Sequence, residues 1–334
     1  MGEDVAMTTM RDVAQLAGVS AKTVSRALRG DDYVSDDVRA RVLAAVGELQ
    51  YVPNSLAVSF RTGRDLAIGV AVPDLANPFF AEIVQAVETV VRERSAAVIV
   101  SSTSEDGTRE RAVLEALLRR QVMGLIAVPV APDQAYLRSW QNRVPMVFVD
   151  RTPGRLTADA VLQDDAGGAT QAAHHLLDRG HRRIALVAEE LDAATVAVRR
   201  EAFAAVLAGA GVTATDVVAT LDRLTPGGVD EAMRSLRDRP EPPTALFAAT
   251  LRSAMAVIPS FGRIGWRPAF VSFGDFPMAE SLDPPVCVID QDPAAMGRAA
   301  AQRLFHRIDT PSARLRRQIV TPVRLIERSS CGAG

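Results

Sequence analysis

The pattern of apolar and polar positions divides the chain into a short helical segment and a long segment of alternating strands and helices. Over residues 9–53, apolar residues recur at helical spacing and predict three helices. Asp12 lies three residues after Thr9, which predicts a capping box, and Gly18 interrupts the pattern between the first two helices. The expected N-cap residues are Thr9, Ser20 and Ser35. Short helices joined by a tight glycine turn predict a helix-turn-helix.

From Leu66 onward, short apolar runs alternate with amphipathic stretches, which is typical of a parallel sheet with helices on both faces. The segment is longer than one such sheet usually needs, so two lobes with a cleft between them are expected. The predicted strands are residues 66–73, 96–102, 123–130, 145–150, 183–188, 244–249, 268–273 and a last strand at 317–328. The clearest predicted helices are residues 79–94, 108–121, 167–180 and 198–211.

The stretch NSLAVSFRTG, which starts at Asn54, predicts a further helix of about two turns. Leu56 and Phe60 are four residues apart, and Gly63 ends the pattern. A helix of this length does not persist alone in water, so it should form only when something else holds it.

The composition limits how the protein can bind nucleic acid and indicates its cellular compartment. The 334 residues carry a net charge of −2, which is not the basic excess that often marks nucleic-acid binders. Residues 1–64 hold eight basic and eight acidic residues, so DNA contacts must be local and favour a dimer. Cys287 and Cys331 form neither a disulfide framework nor a metal-binding spacing. The acidic start of the chain and the absence of a long apolar run predict a cytoplasmic protein without a membrane segment.

Lys22 is the only lysine among the 38 basic residues, and it lies near the start of the second predicted helix. In a helix-turn-helix, that part of the second helix reads base edges in the major groove. Lys22 is therefore interpreted as a reader of guanine, with Ala21, Ser25 and Arg26 beside it. Thr23, Ser25 and Arg29 are candidate phosphate contacts. A generic three-helix bundle, and chance retention of Lys22 in an arginine-biased genome, remain the alternatives.

The stretch from Val72 to Glu82 ends a strand and opens a helix, which is where open α/β sheets bind ligands. Phe79 and Phe80 either stack on a ligand from there or belong to the ordinary core. The sequence shows no phosphate-binding glycine loop, nucleophile elbow or histidine spacing for a metal. It therefore predicts no catalytic residue, cofactor or metal.

The order of the motifs MRDVAQLAGVSAKTVSRAL, YVPNSLA, IGVAVPDLANPFFAEIV, GHRRIALVA, RREAF and PPVCVIDQD resembles the lactose-repressor/galactose-repressor family of bacterial transcription regulators over nearly the whole chain. The resemblance implies an all-α helix-turn-helix DNA-binding domain at residues 8–53. It also implies a hinge helix and linker at 54–64, and a two-lobed α/β core like a periplasmic binding protein at 65–334. This core would bind an effector and form a homodimer.

The resemblance further implies that the dimer reads a pseudo-palindromic double-stranded operator. The hinge helix, residues 54–62, would enter the minor groove with Phe60 as its wedge, although Val58 replaces a usual arginine. An effector in the cleft would shift the lobes and so order or melt the hinge. The expected DNA-binding residues are Thr9, Ser20, Ala21, Lys22, Thr23, Ser25, Arg26, Arg29, Asn54, Ala57 and Phe60. The expected effector-binding residues are Phe79, Phe80, Asp150, Arg199, Thr250 and Asp275.

Two departures from the family pattern affect the expected ligand. Thr250 stands where the family carries an amide, and Gly274 stands where it carries a carboxylate that grips sugar hydroxyls. These departures disfavour a hexose, so the expected effector is a sugar-like or other polar metabolite, or the protein has none. No heptad pattern follows the last strand, which favours a dimer over a tetramer. A repressor is the favoured interpretation; a solute-binding protein of transport is the alternative, and an enzyme on the same scaffold ranks third.

Overall fold

The computed structural model describes residues 9–28, 31, 33–51, 67–189, 194–212, 218–220 and 224–332. The chain divides into two compact units, Met1–Asp65 and Leu66–Gly334. The predicted hinge helix at 54–62 lies outside the described residues, together with the predicted DNA-binding residues Arg29, Asn54, Ala57 and Phe60.

The first unit contains the three predicted helices, α1 (Met10–Ala17), α2 (Ala21–Ala27) and α3 (Asp36–Glu48). The capping box is confirmed: the Asp12 N–H donates to Thr9 Oγ1, and the Thr9 N–H donates to Asp12 Oδ2 at 2.7 Å. Gly18 has a φ of 66°, the left-handed conformation that favours glycine, and it ends α1. The chain therefore turns tightly into α2.

A small apolar core joins the three helices and includes Val13, Val24, Val42 and Tyr51. Arg39 of α3 adds polar contacts, since its guanidinium donates to the carbonyl oxygen of Ala27 at 3.2 Å. That carbonyl lies in the last turn of α2, where helix carbonyls lack partners within the helix. The orientation of α2 is thus fixed by packing and by a capping cation.

The second unit contains two six-stranded sheets, which confirms the predicted α/β class. The strands are β1 (Ala67–Val72), β2 (Ala97–Ser102), β3 (Gly124–Ala127), β4 (Met146–Val149), β5 (Asp159–Gln163), β6 (Ile184–Ala188), β7 (Val218–Thr220), β8 (Ala245–Ala248), β9 (Ala269–Phe273), β10 (Cys287–Asp290), β11 (Gln318–Thr321) and β12 (Arg324–Ile326). The first sheet has the order β11-β5-β4-β3-β1-β2, and the second has the order β12-β10-β9-β8-β6-β7. All pairings are parallel except that of β12 with β10.

The prediction of one last strand at 317–328 is wrong. The segment forms β11 in the first sheet and β12 in the second. Pro322 lies between them, and proline cannot donate to a strand ladder, so the chain leaves one sheet there and enters the other. The other predicted strands each contain an observed strand, whereas β5, β7 and β10 were not predicted as strands.

Helices flank both sheets, and the four clearest predicted helices are confirmed as α4, α5, α7 and α8. The helices of this unit are α4 (Pro78–Glu93), α5 (Gly107–Arg119), α6 (Arg138–Gln141), α7 (Asp165–Asp178), α8 (Ala194–Gly209), α9 (Pro226–Arg237), α10 (Leu251–Ile264) and α11 (Pro293–Asp309). Two short 3₁₀ helices cover Ala135–Leu137 and Ser329–Cys331. No helix in the described part of the chain combines the length and apolar character needed to cross a membrane.

We call each sheet with its flanking helices a lobe. The first lobe includes α11, which packs against α4, although α11 follows β10 of the second sheet. The chain therefore passes between the lobes after β5, after β10 and between β11 and β12. These crossings bring residues distant in sequence to the same place between the sheets.

The contact between α4 and α11 depends on a glycine. A Cβ atom added to Gly297 of α11 would lie 2.5 Å from the carbonyl oxygen of Ile83 in α4. Backbone atoms cannot give way without moving the whole helix. Since Phe79 and Phe80 begin α4, this close approach also positions the aromatic residues that face the cleft.

We expect Gly297→Ala to lower the free energy of unfolding by about 1–3 kcal/mol, because α11 must move away from α4. Urea denaturation measures this change. Gly262→Ala is the matched control, because Gly262 is a helical glycine in α10 with no atom within 4 Å of an added Cβ. The control should be neutral or stabilising by up to about 1 kcal/mol. Equal destabilisation by both substitutions would contradict the role of Gly297.

Candidate functional site

The second helix of the first unit presents a polar surface at its N-terminal end. Ser20 caps α2, since its side chain accepts the Thr23 N–H at 3.1 Å, and its hydroxyl lies 2.8 Å from the hydroxyl of Thr23. Lys22 is exposed and forms no ion pair with any residue that the structure describes. Arg26 lies one turn further, with its Nε 3.6 Å from Asp31 Oδ2. Lys22 is thus the exposed cation at the start of this helix.

Ser25 does not fit the predicted outward-facing set. Its side chain is buried, at 9% exposure, on the side of α2 that also carries Val24. A small hydroxyl side chain can be accommodated at this boundary between the core and the surface. Helical spacing alone therefore could not show that Ser25 is buried. Ala21 and Thr23 are half-buried, and Thr9 is exposed with its hydroxyl engaged by Asp12. The described surface of α2 therefore centres on Lys22 and Arg26.

The second unit has a cleft at the carboxyl ends of strands from both sheets. Polar side chains that follow these strands line it, as expected for ligand sites in parallel α/β sheets. They include Asn77 after β1, Glu105 after β2, Asp150 and Arg151 after β4, Glu189 after β6, Thr250 and Arg252 after β8, and Gln291 after β10. The cavity has a volume of about 50 Å³.

Five of the six predicted effector residues line this cavity, namely Phe79, Phe80, Asp150, Arg199 and Thr250. Asp275 does not belong to the lining. Its carboxylate accepts two hydrogen bonds from Arg328, at 2.7 and 3.0 Å, so it is committed to a structural ion pair.

Phe79 and Phe80 serve the core and the cleft together. They are 7% and 3% exposed, and their rings meet edge to face with centroids 5.1 Å apart. Asn77 caps α4 by accepting the Phe79 N–H at 3.1 Å. This cap fixes the first turn of the helix and therefore the position of the two rings. The two interpretations of this pair are therefore compatible, since buried rings can still form one wall of a cavity.

Arg199 of α8 is buried in the lining of the cleft and makes several polar contacts. Its Nε donates to Asp165 Oδ1 and its Nη1 to the carbonyl oxygen of Ala249, both at 2.7 Å. The guanidinium also lies 3.7 Å from the ring centroid of Phe273, a cation–π distance. Arg199 thus holds three segments of the second lobe together.

A hydrogen-bonded chain connects the lobes beside this arginine. Gln291 follows β10 and donates to Oε1 of Gln163 at the end of β5. Gln163 in turn donates to Asp150 Oδ1 at 2.9 Å. Asp150 has a φ of 68°, a left-handed conformation that is uncommon away from glycine. Such strain is frequent at ligand-binding positions.

Four charged residues of the cleft were missed by sequence reasoning. Arg252 lies 3.9 Å from Glu105 of the first lobe and 3.7 Å from Glu189 of its own lobe. Arg151 lies 3.6 Å from Glu105, so acids and bases alternate across the cleft. The sequence did contain a signal for all four, because each lies within a few residues of the end of a parallel strand, where ligand-binding residues are expected.

Burial raises the pKa of a cleft carboxyl, Glu189, and of Asp165, the ion-pair partner of Arg199. Burial raises the pKa of Glu189, and its Oε2 is buried without a hydrogen-bond partner among the described residues. Burial also raises the pKa of Asp165 to about 6, and this outweighs the attraction of Arg199. Glu189 therefore gives the cleft an acceptor with spare capacity, and the ion pair of Arg199 contains an acid with a raised pKa.

Comparison with known proteins identifies both units. Residues 9–54 match the family model of bacterial regulatory proteins, lacI family. Residues 173–331 match the model of a periplasmic binding protein-like domain. The two matches fall in separate units of the chain.

Curated relatives match along the whole chain. It is 32% identical to the ribose operon repressor of Escherichia coli (strain K12) over 330 residues, which cover 97% of this chain and 100% of the repressor. It is 28% identical to the HTH-type transcriptional repressor PurR of Photobacterium profundum, with 97% and 98% covered.

Solved structures give the same result. The lac repressor dimer bound to operator and the anti-inducer ONPF is similar with a TM-score of 0.87 and 25% identity, covering 98% of this chain and 100% of that one. A LacI family transcriptional regulator from Enterococcus faecium with bound ribose has a TM-score of 0.72 and 25% identity, covering 80% and 99%.

The raised pKa of Asp165 makes stability depend on pH in a defined window. Between its ordinary value of 3.8 and about 6, the folded protein holds a proton that the unfolded chain has lost. The free energy of unfolding should therefore fall as the pH rises from about 4 to 6, and Asp165→Asn should remove this component. Urea denaturation at several pH values measures the slope.

Asp178→Asn is the control, because Asp178 is an exposed carboxyl at the other end of α7. The control should keep the slope of the unsubstituted protein. A slope that survives in Asp165→Asn would show that another group titrates in this window.

Proposed function

This chain belongs to the lacI family of bacterial regulatory proteins, and we propose that it represses transcription as a homodimer bound to a pseudo-palindromic DNA operator. The first unit binds DNA, and the cleft of the second unit binds a small polar metabolite that changes operator affinity. Its place of action is the cytoplasm, where that DNA lies.

The observation that carries the DNA-binding proposal is the N-terminal end of α2. Ser20 starts the helix, and Lys22 extends from it as an exposed cation without an ion-pair partner in the described part of the chain. An ammonium group at this position of a recognition helix suits guanine O6 and N7 in the major groove. Arg26 and the hydroxyl pair of Ser20 and Thr23 are the neighbouring contacts that we assign to DNA.

Residues 54–64 form the linker in this proposal, with Phe60 as the side chain that enters the minor groove. The support is the sequence NSLAVSFRTG, which combines an N-cap residue with two apolar residues at helical spacing. Phenylalanine is among the side chains that unstack a base step. A helix of two turns needs external support, so this segment is the element that an effector can bias.

The chemistry of the cleft defines the metabolite class. Acidic oxygens from Asp150 and Glu189 face a cavity that also has basic groups and the two phenylalanine rings. A small molecule with several hydrogen-bond donors and one apolar face fits this lining. Arg199 already donates to Asp165 and Ala249 and stacks on Phe273, so we assign it the role of orienting these neighbours.

The overall proposal is tested by selecting genomic DNA fragments with the purified protein at physiological salt and repeating the binding with a panel of metabolites. We expect one pseudo-palindrome to be enriched and one polar metabolite to change its affinity. No enrichment would overturn the regulator proposal in favour of a solute-binding role.

Lys22→Ala should weaken binding to the selected operator by about 1–3 kcal/mol and leave random DNA nearly unaffected, because base contacts carry specificity. Fluorescence anisotropy with both DNAs measures the ratio. Arg41→Ala is the control, since Arg41 lies on α3 and pairs with Asp37 at 3.6 Å. Equal losses on both DNAs would make Lys22 a phosphate contact.

Glu189→Gln should raise the metabolite concentration for half-maximal effect by about tenfold, because it removes one charged hydrogen-bond acceptor. Operator affinity without metabolite should stay within about twofold. Glu241→Gln supplies the comparison, since Glu241 is exposed and outside the cleft lining. An unchanged response in Glu189→Gln would place the metabolite elsewhere.

A further inference from the structure

The two cysteines of the chain and one of its four histidines meet inside the second lobe. Cys287 begins β10, Cys331 ends the last 3₁₀ helix, and His175 lies in the third turn of α7. Their sulfur and nitrogen ligand atoms all lie within 4.8 Å of one another. Both cysteines are fully buried, and His175 is 7% exposed. No local pattern predicts this cluster, because its members are separated by 112 and 44 residues.

The cluster lies among apolar side chains of the core. Sγ of Cys287 is 3.0 Å from the carbonyl oxygen of Arg328 and accepts the Arg328 N–H at 3.2 Å. Sγ of Cys331 is 3.1 Å from the carbonyl oxygen of Phe270. Both cysteines otherwise belong to the apolar core of the lobe. A negative sulfur in such surroundings needs a nearby cation or a shared proton.

His175 is the second observation that points to a ligand. Its Nε2 is buried and has no hydrogen-bond partner among the described residues. Its Nδ1 lies 3.9 Å from Glu327 Oε2, and Glu327 also pairs with Arg179. Metal-binding imidazoles usually have a carboxylate as an outer partner, and Glu327 is a carboxylate near this ring, although 3.9 Å is longer than a hydrogen bond. A buried nitrogen without a partner is rare in folded proteins, and a bound ion would supply the missing interaction.

Both cysteines are thiols in this arrangement, since each Sγ donates to a backbone carbonyl oxygen. Metal binding therefore has to displace these protons. Thiolates are the form of cysteine that binds metals.

We propose that His175, Cys287 and Cys331 form a binding site for a thiophilic metal ion, Zn²⁺ or Cu⁺. Two sulfurs and one imidazole are the soft donors that these ions prefer. Zn²⁺ with two thiolates forms a neutral centre but ordinarily takes a fourth ligand, whereas Cu⁺ needs fewer donors. Binding through both thiolates releases the two thiol protons.

A metal at this position would join three segments of the second lobe. It would tie the 3₁₀ helix Ser329–Cys331 and the start of β10 to α7. A ligand that binds only the folded state stabilises it by mass action. The site is separate from DNA and metabolite binding, so its test does not depend on the proposed function.

The test uses the full chain, purified with a reductant and stripped of metal. Zn²⁺ and Cu⁺ are each titrated against a chromogenic chelator without oxygen, and metal retained after gel filtration is counted by elemental analysis. We expect one equivalent per chain of at least one ion. The unfolding midpoint should rise by roughly 5–10 °C at about a 100-fold excess of free ion over Kd.

His175→Asn should lower the affinity for the retained ion at least tenfold, and Cys287→Ser should abolish its retention. His174→Asn is the matched control, because His174 is the exposed neighbour of His175 on the same helix. Circular dichroism of the two histidine variants establishes that both are folded. If the cysteine variant does not fold, the comparison of the histidine variants decides.

Three results would overturn the proposal. The first is that neither ion is retained. The second is that His175→Asn binds metal as tightly as the unsubstituted chain, or that only His174→Asn loses it. The third is that the reduced chain binds no metal while mild oxidation removes two hydrogens per chain, which would identify the cysteines as a disulfide-forming pair.

Discussion

The buried guanidinium of Arg199 holds the ligand-facing end of the second lobe together. It donates to Asp165, the first residue of α7, and to the carbonyl oxygen of Ala249, just after β8. It also lies against the ring of Phe273, at the end of β9. A buried charge is tolerated only where its partners satisfy it, and all three partners lie where strands end or a helix begins. The shape of that wall of the cleft therefore depends on one side chain.

The repeated passage of the chain between the lobes decides what can move. Gln163 and Gln291 lie at two of these passages and are hydrogen-bonded to each other, while Arg252 and Glu105 face each other across the cleft. Ionic contacts at nearly 4 Å between partly exposed groups are weak, so they can be exchanged for contacts with a ligand. The lobes are thus connected by covalent crossings and loosely held by charges, which suits a small movement driven by a ligand.

Short-range rules predicted most elements of this protein. Thr9 with Asp12, Gly18 and Ser20 define the helix-turn-helix, because capping and left-handed turns are local interactions. The alternation of apolar runs and amphipathic helices predicted two lobes of parallel sheet. The same rules missed that residues 317–328 form two strands, β11 and β12, on either side of Pro322. Strands far away in the sequence decide which sheet each of the two joins.

The sequence by itself determined the class of the fold, the second helix of the helix-turn-helix with Lys22 at its start, and five of the residues that line the cleft. Only the tertiary structure decided which groups became partners. It buried Ser25, committed Asp275 to Arg328, and assembled His175 with the two cysteines. The physical reason is that periodicity and capping act over a few residues, whereas ion pairing, burial and side-chain clusters depend on how elements far apart in the sequence pack together.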